Sequence, residues 1–287
     1  MPTISVIIPI YNRRNNLRLC LAALDKQGVR DFEVILCDDG SQDDPLAVFH
    51  EFDSRFQQRY VWHERRGVQI ALCRNEGSAI AHGKAFLFLD SDVLLNPSAI
   101  GHYLNIHAAN PDVIVVGRYD WLPPQLLTAY DVHHNWEQII HGEMTPMDIG
   151  GLPQGILGID PRLANPNLFN SSVVHYGPYC LSMFSGNLLV PRAVFFGVER
   201  YDSQMVGHGG EDAEFGMRAQ LKNVPVIFSD EVVGYHVYHT RDQPKNEEEL
   251  VANAKYIEEK HDLAALGVRR GDPGESILEY RKDVGHV

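Results

Sequence analysis

Cysteine is scarce and unpatterned in this 287-residue chain. Cys20, Cys37, Cys73 and Cys180 form no Cys-x-x-Cys pair and no metal-ligand spacing, which excludes a zinc module or a disulfide scaffold. Three of them lie in apolar or helical stretches and read as buried thiols. Long hydrophobic runs are missing as well: no stretch approaches the roughly 18 apolar residues of a membrane span. The amino terminus, Met1-Pro2-Thr3-Ile4-Ser5, carries no basic region, and its apolar run stops at Pro9. A cytoplasmic protein without a leader is therefore the expectation. Basic charge is the third shortage, with 25 Lys and Arg against 38 Asp and Glu and a formal charge of −13. Nucleic acid or anionic lipid as a partner would need a concentrated basic surface, so both are excluded. A sugar nucleotide is not, because one metal and a few local basic groups neutralise a diphosphate. Repeats, low-complexity segments and an interdomain linker are also absent. The 44% apolar and 22% charged content suits one large α/β domain with an extension, or two small ones.

Strands and helices alternate through the first 120 residues. Thr3–Ile10, Phe32–Cys37, Tyr60–His63, Ala85–Leu89 and Val113–Val116 read as strands. Asn15–Lys26, Pro45–Phe56, Gln69–His82 and Pro97–Ala109 read as the helices between them. Near-continuous Val/Ile/Leu strands separated by helices predict a parallel sheet covered on both faces. Ligands of such sheets sit outside the carboxyl ends of the strands. From Trp121 to Met183 the pattern breaks down, with one helix expected over Ala129–Ile140. Strands return at Phe184–Pro191, Val224–Phe228 and Val232–His239, with a helix at Glu211–Lys222. A charged helix or helix pair follows at Asn246–Leu266, and a loosely ordered tail from Arg269.

The apolar strand Ala85–Leu89 ends in Asp90-Ser91-Asp92. Carboxylates sharing a small site repel unless a cation lies between them, and a hard divalent metal holding phosphates is the natural third party. A helix-capping turn before Pro97 is the plainer alternative. Asp38-Asp39-Gly40-Ser41, at another strand end, reads either as a turn or as acceptors for a base N–H and ribose hydroxyls. Ile8-Pro9-Ile10-Tyr11-Asn12 closes the first strand with a proline-stiffened turn. Arg74, on a small apolar helix, is either a solvated residue or a phosphate fork. Gly207-His208-Gly209-Gly210 precedes Glu211-Asp212-Ala213-Glu214. Helix-start stabilisation accounts for the acidity but not for the three glycines, and a carboxylate there suits deprotonation of a hydroxyl. His236 and His239 lie on one expected strand, and each is either structural or a third metal ligand.

In this order the motifs resemble those of the family 2 glycosyltransferases of the GT-A fold. Ile8-Pro9-Ile10-Tyr11-Asn12, Asp38-Asp39-Gly40-Ser41, Arg74-Asn75, Phe88-Leu89-Asp90-Ser91-Asp92 and Gly209-Gly210-Glu211-Asp212 carry the likeness, over about residues 3–240. The carboxyl half resembles the galactosyltransferase-type and chondroitin-polymerase-type modules. The resemblance implies a Rossmann-like, mostly parallel central sheet with helices on both faces. It implies a catalytic domain over 1–240, split into a nucleotide-binding half (1–120), an irregular acceptor-region insertion (121–183) and an acceptor and metal half (184–240). A helical carboxyl-terminal extension takes 241–287. By the same resemblance Pro9, Tyr11, Asn12, Asp38, Asp39, Arg74, Asp90 and Ser91 bind the nucleotide. Ser185, Gly186, Asn187, Gly209 and Gly210 line the donor sugar and acceptor. Asp92, with Asp90 and His239, holds Mn²⁺ or Mg²⁺; His239 is preferred to His236 because it lies six residues before Lys245. Asp212 is the base and Glu211 orients the acceptor.

The implied activity is an inverting, metal-dependent transfer from a UDP-sugar to a hydroxyl on a glycan or other acceptor. No Gln-x-x-Arg-Trp segment is present, so a single addition is favoured over processive synthesis. A nucleotidyltransferase is the competing enzyme, but its glycine-rich basic loop is missing from Tyr11-Asn12-Arg13-Arg14-Asn15. A non-catalytic sugar-nucleotide or glycan-binding module is the third reading, and such a module has no need of a base at Asp212.

Overall fold

In the computed structural model of the chain, all seven residues of β1, Ile4–Ile10, are buried. Ile4, Val6, Ile8 and Ile10 enter one apolar core and Ile7 enters another on the opposite face. β4, Ala85–Leu89, divides likewise: Ala85, Leu87 and Leu89 face one way, Phe86 and Phe88 the other. A strand apolar at every position needs cover on both faces, and helices supply it. The structure describes residues 1–122, 127–141, 160–165, 168–177, 179–237, 243–263 and 265–266.

The remaining strands are β2 (Phe32–Asp38), β3 (Gln57–Trp62), β5 (Val93–Leu95), β6 (Ile114–Leu122), β7 (Asn187–Pro191) and β8 (Val226–Val237). α1 (Arg14–Asp25), α2 (Pro45–His50), α4 (Ala99–Ala109), α5 (Ala129–His134) and α6 (Trp136–Ile140) cover the first core. α3 (Ile70–Ile80), α7 (Arg192–Gly197) and α8 (Glu211–Leu221) cover the second. The strands run in the order β3-β2-β1-β4-β7-β6-β8-β5. β3, β2, β1 and β4 are mutually parallel, as are β6 and β8; β7 opposes β4 and β6, and β5 opposes β8. The expected mostly parallel α/β sheet is present, and β7 and β5 run against it. Because the chain lays β2 and β3 on one side of β1 and β4 on the other, a crevice opens at the carboxyl ends of β1 and β4.

Long-range pairing alters several expected boundaries. β6 runs past Val116 to Leu122 because it stays paired with β8 across a register shift at Gly117/Arg118. The strands expected at Val224–Phe228 and Val232–His239 are accordingly one strand, with polar Ser229-Asp230-Glu231 carried inside it. β5 directly follows the Asp90-Ser91-Asp92 turn, and its three residues are too few to show a period. The helix expected over Ala129–Ile140 breaks at Asn135, which ends α5 and precedes α6. The charged carboxyl-terminal helix is α9, Gln243–Lys260. Its Ala254 and Ile257 join Cys180, Met205, Met217, Leu263 and Leu266 in a third core against α8. His239, the boundary expected at residue 240 and the tail from Arg269 lie outside the described residues. Among the described residues no helix is long and apolar enough to cross a membrane.

Candidate active site

The turn after β1 and the end of β2 meet through Asn12, whose backbone N–H donates to Ser41 Oγ (3.0 Å) and whose Oδ1 accepts the Gln42 N–H (2.8 Å). Asp38 is committed to that junction: its carboxylate accepts the Ser41 N–H and the Tyr60 hydroxyl, both at 2.8 Å. Asp39 faces the next loop, where it meets His63 Nε2 at 3.0 Å, Arg65 Nη1 at 2.5 Å and the Gln69 N–H at 3.2 Å. His63 Nδ1 reaches Glu76 at 2.7 Å. Burial alone would lower the His63 pKa, but Glu76 and Asp39 outweigh it and raise it. Arg65 lies over the Tyr11 ring, 3.3 Å from its centroid.

Arg74 projects from α3 into the crevice and is 2% exposed. It donates to Glu211 Oε1 at 2.8 Å and to Asp90 Oδ1 at 3.1 Å, and its guanidinium lies 5.2 Å from the Tyr201 ring centroid. Its Nε is buried without a hydrogen-bond partner among the described residues. Beside it, Asn75 holds Tyr201 through two hydrogen bonds, at 2.8 and 3.0 Å. Burial would lower the Arg74 pKa; Tyr201, Glu211 and Asp90 outweigh it and raise it. At the end of β4, the Asp90 N–H donates to the Gly186 carbonyl, and Val93 N–H closes the turn onto the Asp90 carbonyl. Burial, helped by Asp92 and Glu211 and opposed by Arg74, pushes the Asp90 carboxyl up to about 6. Asp92 Oδ1 lies 3.6 Å from His236 Nε2. A Cβ on Gly186 would stand 2.6 Å from both Asp90 Oδ2 and Tyr119 Cε2, so only glycine lets that strand end approach Asp90. Ser185 bonds the Tyr201 hydroxyl at 2.8 Å. The Asn187 amide, by contrast, is used inside the sheet by Tyr103 (2.8 Å) and the Arg118 carbonyl (3.0 Å).

The loop before α8 turns through Gly207, Gly209 and Gly210, all at positive φ (+101°, +79° and +97°), where side chains are disfavoured. α9 secures it: Glu249 accepts the His208 N–H at 2.8 Å and Asn253 donates to the Gly209 carbonyl at 2.7 Å. α8 then opens with Glu211 and Asp212 in its first turn, where the helix dipole favours carboxylates. Asp212 Oδ1 accepts the Ala213 N–H at 2.7 Å. Two residues on, fully buried Glu214 meets Arg218 (2.6 Å), Lys260 (2.8 Å) and His261 (3.0 Å).

Residues 5–149 match the sequence profile described as Glycosyl transferase family 2. The chain belongs to that family. Validoxylamine A glucosyltransferase of Streptomyces hygroscopicus subsp. jinggangensis is 30% identical over 264 residues, 91% of this chain and 61% of that protein. Escherichia coli chondroitin synthase is 27% identical over 88% of this chain, which spans 37% of that longer protein. The chain thus covers less than two thirds of the length of these relatives. Among solved structures, Staphylococcus aureus TarS 1–349 in complex with UDP-GlcNAc aligns with TM-score 0.65 and 17% identity, over 98% of this chain and 72% of that one. A Pyrobaculum calidifontis mannosyltransferase in complex with GDP-Man and Mn²⁺ aligns with TM-score 0.56 and 18% identity, over 98% and 69%. These likenesses establish the GT-A fold.

In this family 2 chain, the donor set at the end of β4 fits a hard divalent cation. Asp90 and Asp92 offer carboxylate oxygens on one turn, the hard donors such an ion would take. Among the described residues no three His, Cys, Asp or Glu side chains converge as a metal-holding group. Of the residues that sequence reasoning singled out, Arg74, Asp90 and Glu211 are in direct contact, and Asp212 follows Glu211 in α8. That reasoning missed His63 and Arg65, although they follow β3 and the strand-end argument applied to Asp38 and Asp90 reaches them equally. It also missed Tyr201, Asn253 and His261, which carry no local pattern, and it gave Glu214 no role of its own within the acidic cluster.

Proposed function

We propose that the chain transfers a sugar from a UDP-sugar to a hydroxyl acceptor, with inversion, one sugar at a time and with a divalent metal. One observation supports this reading: buried Arg74 joins Asp90, two residues before Asp92, to Glu211, the neighbour of Asp212. A binding module has no use for the second acidic pair. The TarS complexes with UDP and UDP-GlcNAc support a UDP-sugar, and the Mn²⁺ of the mannosyltransferase complex supports a metal. Four free, buried cysteines suit a reducing compartment such as the cytoplasm.

Asp39, with Pro9, Tyr11 and Asn12 beside it, meets the uracil and ribose. Asp38 shapes that subsite through its bonds to Ser41 and Tyr60. Arg74 turns its unpartnered Nε to the diphosphate, and Ser91 lies on the same turn as the metal carboxylates. Mn²⁺ or Mg²⁺, held by Asp92 with Asp90 and His239, would neutralise charge developing on the leaving diphosphate. Asp212 accepts the proton of the acceptor hydroxyl. The acceptor oxygen attacks the anomeric carbon as the bond to UDP breaks on the opposite face, which inverts the centre. Glu211 fixes the acceptor side against Arg74, while Gly209 and Gly210 leave room for the acceptor. Ser185 and Gly186 line the donor sugar, with Asn187 holding them from within the sheet.

Asp212→Asn tests the reading. Turnover should fall by at least about a hundredfold, while Mn²⁺-dependent UDP affinity measured by calorimetry stays within about twofold. Undiminished turnover refutes the base, and release of pyrophosphate instead of UDP refutes the reaction class.

A further inference from the structure

Arg65 follows β3 in Trp62-His63-Glu64-Arg65-Arg66 and has no part in the reaction above. Its guanidinium carbon lies over Tyr11, 3.3 Å from the ring centroid, and its Nη1 donates to Asp39 Oδ2 at 2.5 Å. An aromatic face and a carboxylate are thus both taken by one planar group that stacks and donates N–H. Uracil offers the same two features, a flat ring and the N3–H. Both groups cannot hold the same face and the same oxygen together. We propose that Arg65 is an internal ligand of the base subsite, which takes the place of uracil until a nucleotide displaces it. This rests on the reading that Tyr11 and Asp39 hold the base.

The surroundings say which part moves. Asp39 keeps His63 on its other oxygen and the Gln69 N–H on Oδ2, so Arg65 is the exchangeable partner. The Arg65 backbone sits against Gly40: a Cβ added there would stand 2.7 Å from Arg65 N and 2.9 Å from its Cβ. Displacement is therefore a side-chain rotation, and with 25% of the side chain exposed the way to solvent is open. The contact also has a role when no nucleotide is bound. Asp39 is 4% exposed, and a buried carboxylate deprived of its cations is costly. Arg65 supplies that charge in the empty site and yields it on binding.

A competing internal ligand raises the apparent Kd of every ligand that must displace it. Arg65→Ala removes the competitor. Calorimetric titration with uridine, and with UDP in the presence of Mn²⁺, should show about tenfold tighter binding of both, about 1.4 kcal/mol. Deleting a cation beside a polyanion ordinarily weakens binding, so the sign is diagnostic. Equal or weaker affinity overturns the proposal; weaker affinity would make Arg65 a direct nucleotide contact. Arg65→Gln, which still donates to Asp39, should give a smaller gain of the same sign and serves if the alanine variant misfolds. Tyr11→Ala should weaken both ligands. Unchanged binding in that variant overturns the base subsite itself, whatever Arg65 does.

Discussion

Glu214→Gln probes the joint that holds the proposed base in place. Glu214 is fully buried two residues after Asp212, and its carboxylate meets Arg218 on its own helix and Lys260 and His261 at the end of α9. Burial pushes the carboxyl up, but His261, Arg218 and Lys260 outweigh it and hold it down to about 2, from 4.5. At about 1.4 kcal/mol per pH unit, that depression is worth about 3 kcal/mol of stability. The unfolded chain takes up the proton near 4.5 and the native state only near 2. The stabilisation is therefore complete above 4.5 and drains away as pH falls through the native value. Removing the charge leaves three basic groups around a neutral amide, which costs about 3–5 kcal/mol at neutral pH. Urea unfolding of both proteins at pH 7, 5, 4 and 3 should show the gap between them narrowing by about 2 kcal/mol across that range. A gap below about 1 kcal/mol at pH 7, or one that does not change with pH, refutes the reasoning.

His63 gives the opposite sign. Burial lowers its pKa, but Glu76 and Asp39 raise it above 6.5, so its stabilisation is complete below 6.5 and is lost as pH rises through the native value. An imidazole NMR titration midpoint at or below 6.5 would sink this. Gly186→Ala drives a methyl group to 2.6 Å from Asp90 Oδ2 and Tyr119 Cε2. The variant should lose about 1–3 kcal/mol of stability and about a hundredfold in turnover. Wild-type turnover would show that the approach of Gly186 to Asp90 is immaterial.

How far the site can be read in the sequence depends on the range of the interaction. Ala85–Leu89 is apolar throughout, so it must lie between two covered faces, and the first charged residue after it must emerge at the strand end. That argument located Asp90 and Asp92 without knowledge of any partner. The same argument located Asp38 and Asp39 but could not say that Asp38 is used up by Ser41 and Tyr60 while Asp39 turns to His63, Arg65 and Gln69. Asn187 illustrates the limit. It follows Ser185 and Gly186 directly, yet it opens β7 with its side chain wholly buried, and its amide binds Tyr103 and Arg118. The reversed direction of β7 was equally illegible, since a short apolar strand reads alike in either sense. α9 reads as a charged surface helix; that it pins Gly209 through Asn253 emerges from a contact across 44 residues.

The division comes down to short and long separations along the chain. Periodicity, glycine and strand-end chemistry act within a few residues, and they suffice for the α/β class, the crevice, and the acidic pairs at Asp90-Ser91-Asp92 and Glu211-Asp212. Which charge meets which is a Coulomb and packing problem over the whole fold. Arg74 finds Glu211 across 137 positions, and no pattern in either segment announces the other. Arg65 finds Tyr11 and Asp39 only because β3 pairs in register with β2 and β2 with β1. Backbone conformation is set locally by sterics and burial, whereas a buried charge takes whatever opposite charge the folded chain brings within reach.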